Sequence, residues 1–194
     1  MMVILYSIFI FLYCILILKL YISWENIDLK IINSDERQPQ EHFISIIIPV
    51  RNEANNILPL LYDINKQETS PQHFEVIVVD DASTDGTIDK VLAHKSSFCF
   101  DLKVLYLKVE AGFTGSHKKK GLTLGIEHSK GDYILTTDGD CRVQPHWLTS
   151  LRSIIIEHQP ECITGPVTFE NENSIFKDMQ IMEFAFLIGT GASS

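Results

Sequence analysis

Two aspartates separated by one glycine, Asp138-Gly139-Asp140, close the apolar run Tyr133-Ile134-Leu135. Side chains at i and i+2 of a strand point to the same side, so both carboxylates can face one ligand. The intervening glycine adds no bulk and lets a phosphate come close. Two hard oxygen donors suit Mg²⁺ or Mn²⁺, ions that usually complete their shell with substrate phosphates. Alone, Asp-Gly is equally a common turn; the triplet gains meaning from its company. Arg51-Asn52-Glu53 and Asp80-Asp81 also follow apolar runs directly, and a basic stretch, His117-Lys118-Lys119-Lys120, lies between them and the triplet.

The elements that must position these residues follow from hydrophobic patterning. Residues 44–48 read as a buried strand stopped by Pro49. A helix then opens at Asn52 or Glu53, with Ile57, Leu58, Leu61 and Ile64 on one face. Further strands are expected at 74–79, 102–107, 132–137 and 162–169, and helices at 84–94, 118–128 and 145–158. Continuous apolar runs mark strands buried on both faces of a parallel sheet, and the alternating order makes a Rossmann-like α/β/α sandwich with a mostly parallel sheet the natural architecture. In such sheets ligands collect outside the carboxyl ends of strands. The three polar clusters fall there.

Composition narrows the function classes. The chain has 194 residues and a formal net charge of −9, with a pI near 5.2, which argues against a nucleic-acid surface. Cys14, Cys99, Cys141 and Cys162 show no CxxC or zinc spacing and read as reduced thiols. The seven histidines form no HExxH pattern; His117 reads as a surface histidine. No GxGxxG or GxxxxGK[ST] follows a strand, which disfavours dinucleotide and P-loop chemistry. Asp85-Gly86-Thr87 reads as a turn and helix start.

Three segments in order, Ser45 to Glu53 (SIIIPVRNE), Val78 to Thr87 (VVDDASTDGT) and Asp138-Gly139-Asp140, resemble family 2 glycosyltransferases with the GT-A fold. The resemblance covers about residues 43–170. It implies that Pro49 and Arg51 line a nucleobase pocket, with the guanidinium available for stacking, and that Glu53 holds the loop or touches the nucleotide. It also implies that Asp81 accepts from the uracil ring N–H, with Asp80 as a structural acceptor. Asp138 would lie near ribose and metal, and Asp140 would bind the metal that bridges the diphosphate. Lys118 occupies the family's lysine position and would face that diphosphate, while Lys119 and Lys120 read as a solvated helix start; Gly121 and Thr123 depart from the usual alanine and asparagine. The implied partners are a nucleotide-sugar donor, UDP-sugar by family habit, and a glycan or lipid acceptor, with transfer by inversion. The general base that inversion requires comes from a later segment in family members. Glu161, Glu170 and Glu172 follow Asp140 here, but none sits in a recognisable motif.

Around this domain, assigned to 43–194, residues 1–24 read as a transmembrane anchor. The apolar run is about 33 Å long as a helix, enough to cross a bilayer core. Tyr21 and Trp24 sit at an interfacial level, and Lys19 and Lys30 place the domain on the cytoplasmic side of the cell membrane as a single-pass protein. Residues 25–42 read as a polar tether. Residues 174–189 form an apolar-rich helix that leads, in the resembled enzymes, into an acceptor-binding half, so a C-terminally truncated transferase domain is expected. The alternative is a nucleotide-sugar-binding remnant without transferase activity.

Overall fold

The computed structural model describes residues 2–25, 42–108, 114–165, 167–168 and 174–192. In chain order the elements are α1 (Met2–Glu25), β1 (Ile44–Val50), α2 (Ile57–Asn65), β2 (Phe74–Asp80), α3 (Thr87–His94), β3 (Asp101–Tyr106), α4 (His117–Glu127), β4 (Tyr133–Thr136), α5 (Trp147–His158) and α6 (Ile175–Ala192). The chain divides into two units, Ile32–Gln159 and Met1–Ile31 with Pro160–Ser194.

The unit Ile32–Gln159 is built on a four-stranded sheet of order β3-β2-β1-β4, and every pairing is parallel. The central strands carry the densest apolar runs: Ile46, Ile47, Ile48, Val76, Ile77 and Val78 are wholly inaccessible. Each such side chain contributes on the order of 2 kcal/mol relative to exposure. The chain steps outward from β1 to β2 to β3, then returns to place β4 on the other side of β1. Right-handed crossovers therefore put α2 and α3 on one face and α4 on the other. The reversal opens a crevice at the carboxyl end of β1, where ligands of open parallel sheets sit.

Helix α4 packs on β1 and β2 through two glycines. A Cβ on Gly125 would stand 2.5 Å from Ile47 Cγ2 and 3.3 Å from Val79 Cγ2, so helix and sheet meet too closely there for any side chain. At Gly121 the same atom would meet Val79 Cγ1 at 3.6 Å, an ordinary contact.

The far end of the sheet holds a buried carboxylate. Glu75 is 1 % exposed; its Oε1 accepts from Ser45 Oγ at 2.7 Å and Lys130 N at 2.8 Å, and Lys103 Nζ lies 2.7 Å from Oε2. Burial pushes this carboxyl up, but the Lys103, Ser45 and Lys130 donors outweigh it and hold its pKa below the ordinary value. Ser45 Oγ also accepts from Gly131 N at 2.9 Å, fixing where the chain enters β4.

Several sequence expectations are corrected. Pro49 lies inside β1, paired with Val79, and does not stop it. Alternate residues of β1 point their backbone groups towards opposite neighbours: Val50 O accepts from Asp81 N and Ile47 O from Thr137 N. Pro49 shares the Ile47 side, where β4 pairs only up to Ile47, so its missing N–H costs no ladder bond. Helix α2 begins at Ile57, not at Asn52 or Glu53, and buries Leu60 in place of Leu58. Helix α3 begins at Thr87 and α5 at Trp147, each later than expected, because the residues before α3 bond across the sheet end to 52–54 and those before α5 accept from Gln67 and Glu68, just past the end of α2. The expected strand at 162–169 is irregular and mostly exposed in its described residues; β-propensity without a ladder partner does not make a strand.

In the other unit, α1 and α6 contact one another. The described side chains of α1, residues 6–19 and 22, are exposed. Among the described residues, no helix is long and apolar enough to cross a membrane. Most of the expected tether, residues 26–41, lies outside the described residues, as do Glu170 and Glu172.

Candidate functional site

The loops that follow β1 and β2 are laced together by the side chains of the segment 80–87. Asn52 adopts a left-handed φ of 57°, which asparagine tolerates better than most residues. Its N–H donates to Ser83 Oγ at 3.0 Å, and its Oδ1 accepts from Thr84 N at 2.8 Å. Glu53 N donates to Thr87 Oγ1 at 2.9 Å and Ala54 N to Asp85 Oδ2 at 3.0 Å. Thr87 donates to Asp85 Oδ1 through both its hydroxyl and its N–H. These donors, the Thr87 hydroxyl foremost, hold the Asp85 carboxyl below its ordinary pKa. Asp85 is thus a loop fastener, and Gly86, at φ 84°, turns the chain into α3. Asp80 is buried and accepts from Ser83 N at 3.2 Å.

With these loops fixed, a cleft of about 380 Å³ opens at the carboxyl end of the sheet. It is lined by Pro49, Val50, Arg51, Glu53, Val79, Asp81, His117, Lys118, Gly121, Asp138, Gly139 and Asp140. Its volume falls within the range of small-molecule sites. All seven residues singled out from the sequence, Pro49, Arg51, Glu53, Asp81, Lys118, Asp138 and Asp140, meet in this cleft.

The route by which the two aspartates arrive differs from the expectation. Strand β4 ends at Thr136, so Asp138 and Asp140 stand on a turn, closed by Cys141 N donating to Asp138 O at 3.2 Å, and not on a strand face. The glycine between them has a packing reason: a Cβ there would lie 2.9 Å from Val50 Cγ1 and 3.2 Å from Glu53 Cγ. Beyond the turn, Arg142 Nε and Nη2 grip Asp63 of α2 in a bidentate pair, the latter at 2.9 Å. That bond lowers the pKa of Asp63. Gln67 Nε2 donates to Gln144 O at 2.7 Å, and its Oε1 accepts from Leu148 N at 2.9 Å. The chain leaving the aspartates is therefore clamped to α2.

Charges in the cleft are paired across elements. Lys118 Nζ lies 2.6 Å from Asp138 Oδ1 and 2.8 Å from Oδ2. Arg51 Nη1 donates to Asp81 Oδ2 at 3.2 Å. His117, read from the sequence as a surface histidine, also reaches Asp81, with Nδ1 2.9 Å from Oδ1 and 3.1 Å from Oδ2. The sequence puts it one residue ahead of the expected helix 118–128, whereas α4 begins with it, and its neighbour lies 36 residues away, a distance no local pattern spans. Glu53 Oε2 accepts from Asn56 Nδ2 at 2.8 Å.

For a divalent cation the cleft supplies Asp138 and Asp140. Among the described residues, no group of three or more His, Cys, Asp or Glu side chains converges as a metal cage. Magnesium-type ions are commonly held by one or two carboxylates with the remaining places filled by phosphates and water. The donor set therefore fits an ion held jointly with a diphosphate, and does not fit one caged by protein alone.

Comparison with known proteins agrees with this geometry. The family model described as glycosyl transferase family 2 matches residues 45–190. Glycosyltransferase AglE of Haloferax volcanii is 36% identical over 132 residues, 68% of this chain and 41% of that protein. Dodecaprenyl-phosphate galacturonate synthase of Rhizobium johnstonii is 27% identical over 123 residues, 63% of this chain and 35% of that protein. The crystal structure of Staphylococcus aureus TarS 1–349 in complex with UDP-GlcNAc shares the fold at a TM-score of 0.54. It is 29% identical and the match covers 70% of this chain and 38% of that one. The chain spans less than half the length of each of these relatives.

Proposed function

Because this chain belongs to glycosyl transferase family 2, we propose that its cleft binds a nucleoside diphosphate sugar, with UDP-sugar favoured, and that the domain serves transfer of the sugar to a glycan or lipid acceptor with inversion. The observation that carries this reading is the meeting of Arg51, Asp81, Lys118, Asp138 and Asp140 in one cleft. Pro49 and Arg51 flank the base, whose ring N–H donates to Asp81. Lys118 releases Asp138 in part and turns its ammonium to the diphosphate, adding positive charge where the leaving group gains negative charge. Asp138 and Asp140 would hold Mg²⁺ or Mn²⁺, which when bound supplies further charge against the diphosphate. The exposed apolar side chains of α1 support association of the chain with a membrane, and the basic residues Lys19 and Lys30 that follow its apolar run put the domain on the cytoplasmic side. That the Rhizobium johnstonii relative is a dodecaprenyl-phosphate galacturonate synthase makes a polyprenyl phosphate the first acceptor to try.

The test is calorimetric titration of UDP into the full chain with and without Mn²⁺. Wild type should bind more tightly with the ion, and Asp140→Ala should lose that gain. Equal, ion-dependent binding by both proteins would refute the site assignment. A second reading, donor binding without transfer, is favoured by the cleft's own carboxylates: Asp81, Asp138 and Glu53 are each engaged by a neighbouring side chain and Asp140 is assigned to the ion, which leaves no further carboxylate of the cleft as a dedicated base among the described residues. Release of free sugar or glycosylated polyprenyl phosphate from a UDP-sugar separates the two.

A further inference from the structure

We propose that His117 is a positioning residue that fixes the Asp81 carboxylate as the acceptor for the uracil imide N–H, and so sets preference for uridine over cytidine nucleotides. The proposal rests on the donor-site reading above and adds to it a residue outside the motifs that carried that reading.

Asp81 has a fixed main chain, since its N–H donates to Val50 O at 2.9 Å, but its side chain retains two free torsions. Two donors close on the carboxylate from different elements. Arg51 comes from the loop after β1; its side chain is 60% exposed and its bond is the longer, at 3.2 Å. His117 comes from the first turn of α4, a helix held in place where Gly125 meets Ile47 and Val79 and capped by Ser116 Oγ accepting from Lys119 N. Its Nδ1 lies within 3.1 Å of both oxygens of Asp81. A guanidinium on a loop can swing to an incoming base, whereas an imidazole on a packed helix start remains. After both bonds, about four carboxylate lone-pair sites still leave room for one more donor.

Uracil offers an N–H at that ring position, and cytosine offers a lone pair. A carboxylate locked in place meets the first with a hydrogen bond and the second with acceptor against acceptor. A carboxylate free to rotate can turn aside and accept from the amino group of cytosine. Rigidity supplied by His117 is thus what converts an acidic side chain into a selective one.

Asparagine is the informative substitution, because its amide nitrogen stands as many bonds from Cβ as histidine Nδ1. The full chain, as wild type, His117→Ala and His117→Asn, is titrated with UDP, CDP and inorganic pyrophosphate, each with Mn²⁺. His117→Ala should lose about tenfold in UDP affinity, the scale of one charge-assisted hydrogen bond, with the UDP-to-CDP ratio falling by a similar factor and pyrophosphate affinity unchanged. His117→Asn should restore the ratio to within about threefold of wild type. An unchanged ratio in His117→Ala overturns the proposal. Equal losses for UDP and pyrophosphate also overturn it, since they would place the effect on α4 or the phosphates. No UDP binding by the wild type would refute the donor-site reading, and the proposal with it.

Discussion

The two glycines of α4 predict opposite outcomes for the same substitution four residues apart. Replacing glycine by alanine inside a helix favours the folded state by about 1 kcal/mol when nothing else changes. At Gly125 the new methyl would stand 2.5 Å from Ile47 Cγ2 and 3.3 Å from both Ile47 Cδ1 and Val79 Cγ2. Ile47 is β-branched, wholly buried and central in the sheet, so its Cγ2 cannot swing away. The helix must lift instead, at the upper end of overpacking costs, about 3 kcal/mol. Gly125→Ala should therefore be less stable by about 2 kcal/mol, the difference of those terms. At Gly121 the nearest atoms would be 3.6 and 3.9 Å away, ordinary contact, and Gly121→Ala should be more stable by about 1 kcal/mol. With a urea m-value of about 2 kcal/mol/M, the midpoint should fall by about 1 M in the first and rise by about 0.5 M in the second. Urea unfolding of the full chain, followed by circular dichroism, reads both. Gly125→Ala should also weaken UDP binding, since lifting α4 displaces His117 and Lys118. A midpoint that moves the same way in both variants would refute the argument that backbone approach, not helix propensity, decides these positions.

Two further predictions concern charge. Glu75→Gln should cost about 3 kcal/mol at neutral pH, because it leaves the partly buried Lys103 without its buried partner. The folded-state pKa values of Glu75, Asp63 and Asp85 lie below their ordinary values of 4.5, 3.8 and 3.8. The stability they contribute is thus fully present above those ordinary values and is lost as pH falls through the lowered folded values. Wild type should unfold progressively more easily below about pH 4.5 with a shallower slope in Glu75→Gln, as thermal melts across pH 3–7 would show. Lys118→Met should leave stability within about 0.5 kcal/mol of wild type, since the Lys118–Asp138 pair is exposed. It should weaken UDP binding about tenfold, the scale of a charge-assisted bond to the diphosphate, measurable by calorimetry; an unaltered affinity would remove Lys118 from the donor site.

How much was legible in the sequence depends on the range of each interaction. The strand cores at 44–48 and 74–79 were legible because burial on both faces demands a nearly continuous apolar run; the edge strand β3, only partly buried, showed through Leu102, Val104 and Leu105. Arg51, Glu53, Asp81, Asp138 and Asp140 were legible as polar clusters at the ends of such runs, where a parallel sheet gathers them, and Lys118 through the family resemblance. Element ends were not legible. The helix starts at Asn52 and Thr84 failed because the Asn52 and Asp85 side chains and backbone N–H groups bond across to the neighbouring loop, more than 30 residues away. The strand end expected at Pro49 failed because its missing N–H counts only where a neighbour is there to be paired, and β4 pairs with β1 only up to Ile47.

By itself, then, the sequence determined the parallel α/β architecture and the gathering of Arg51, Glu53, Asp81, Asp138 and Asp140 at one end of the sheet, since both follow from local apolarity and from the topology it imposes. Only the tertiary structure decided that Asp138 and Asp140 approach the cleft on a turn, that Gly125 is there for the close approach of α4, and that His117 and Arg51 share one carboxylate. Each of those depends on distances between elements far apart in the chain, which packing sets and no local spacing encodes.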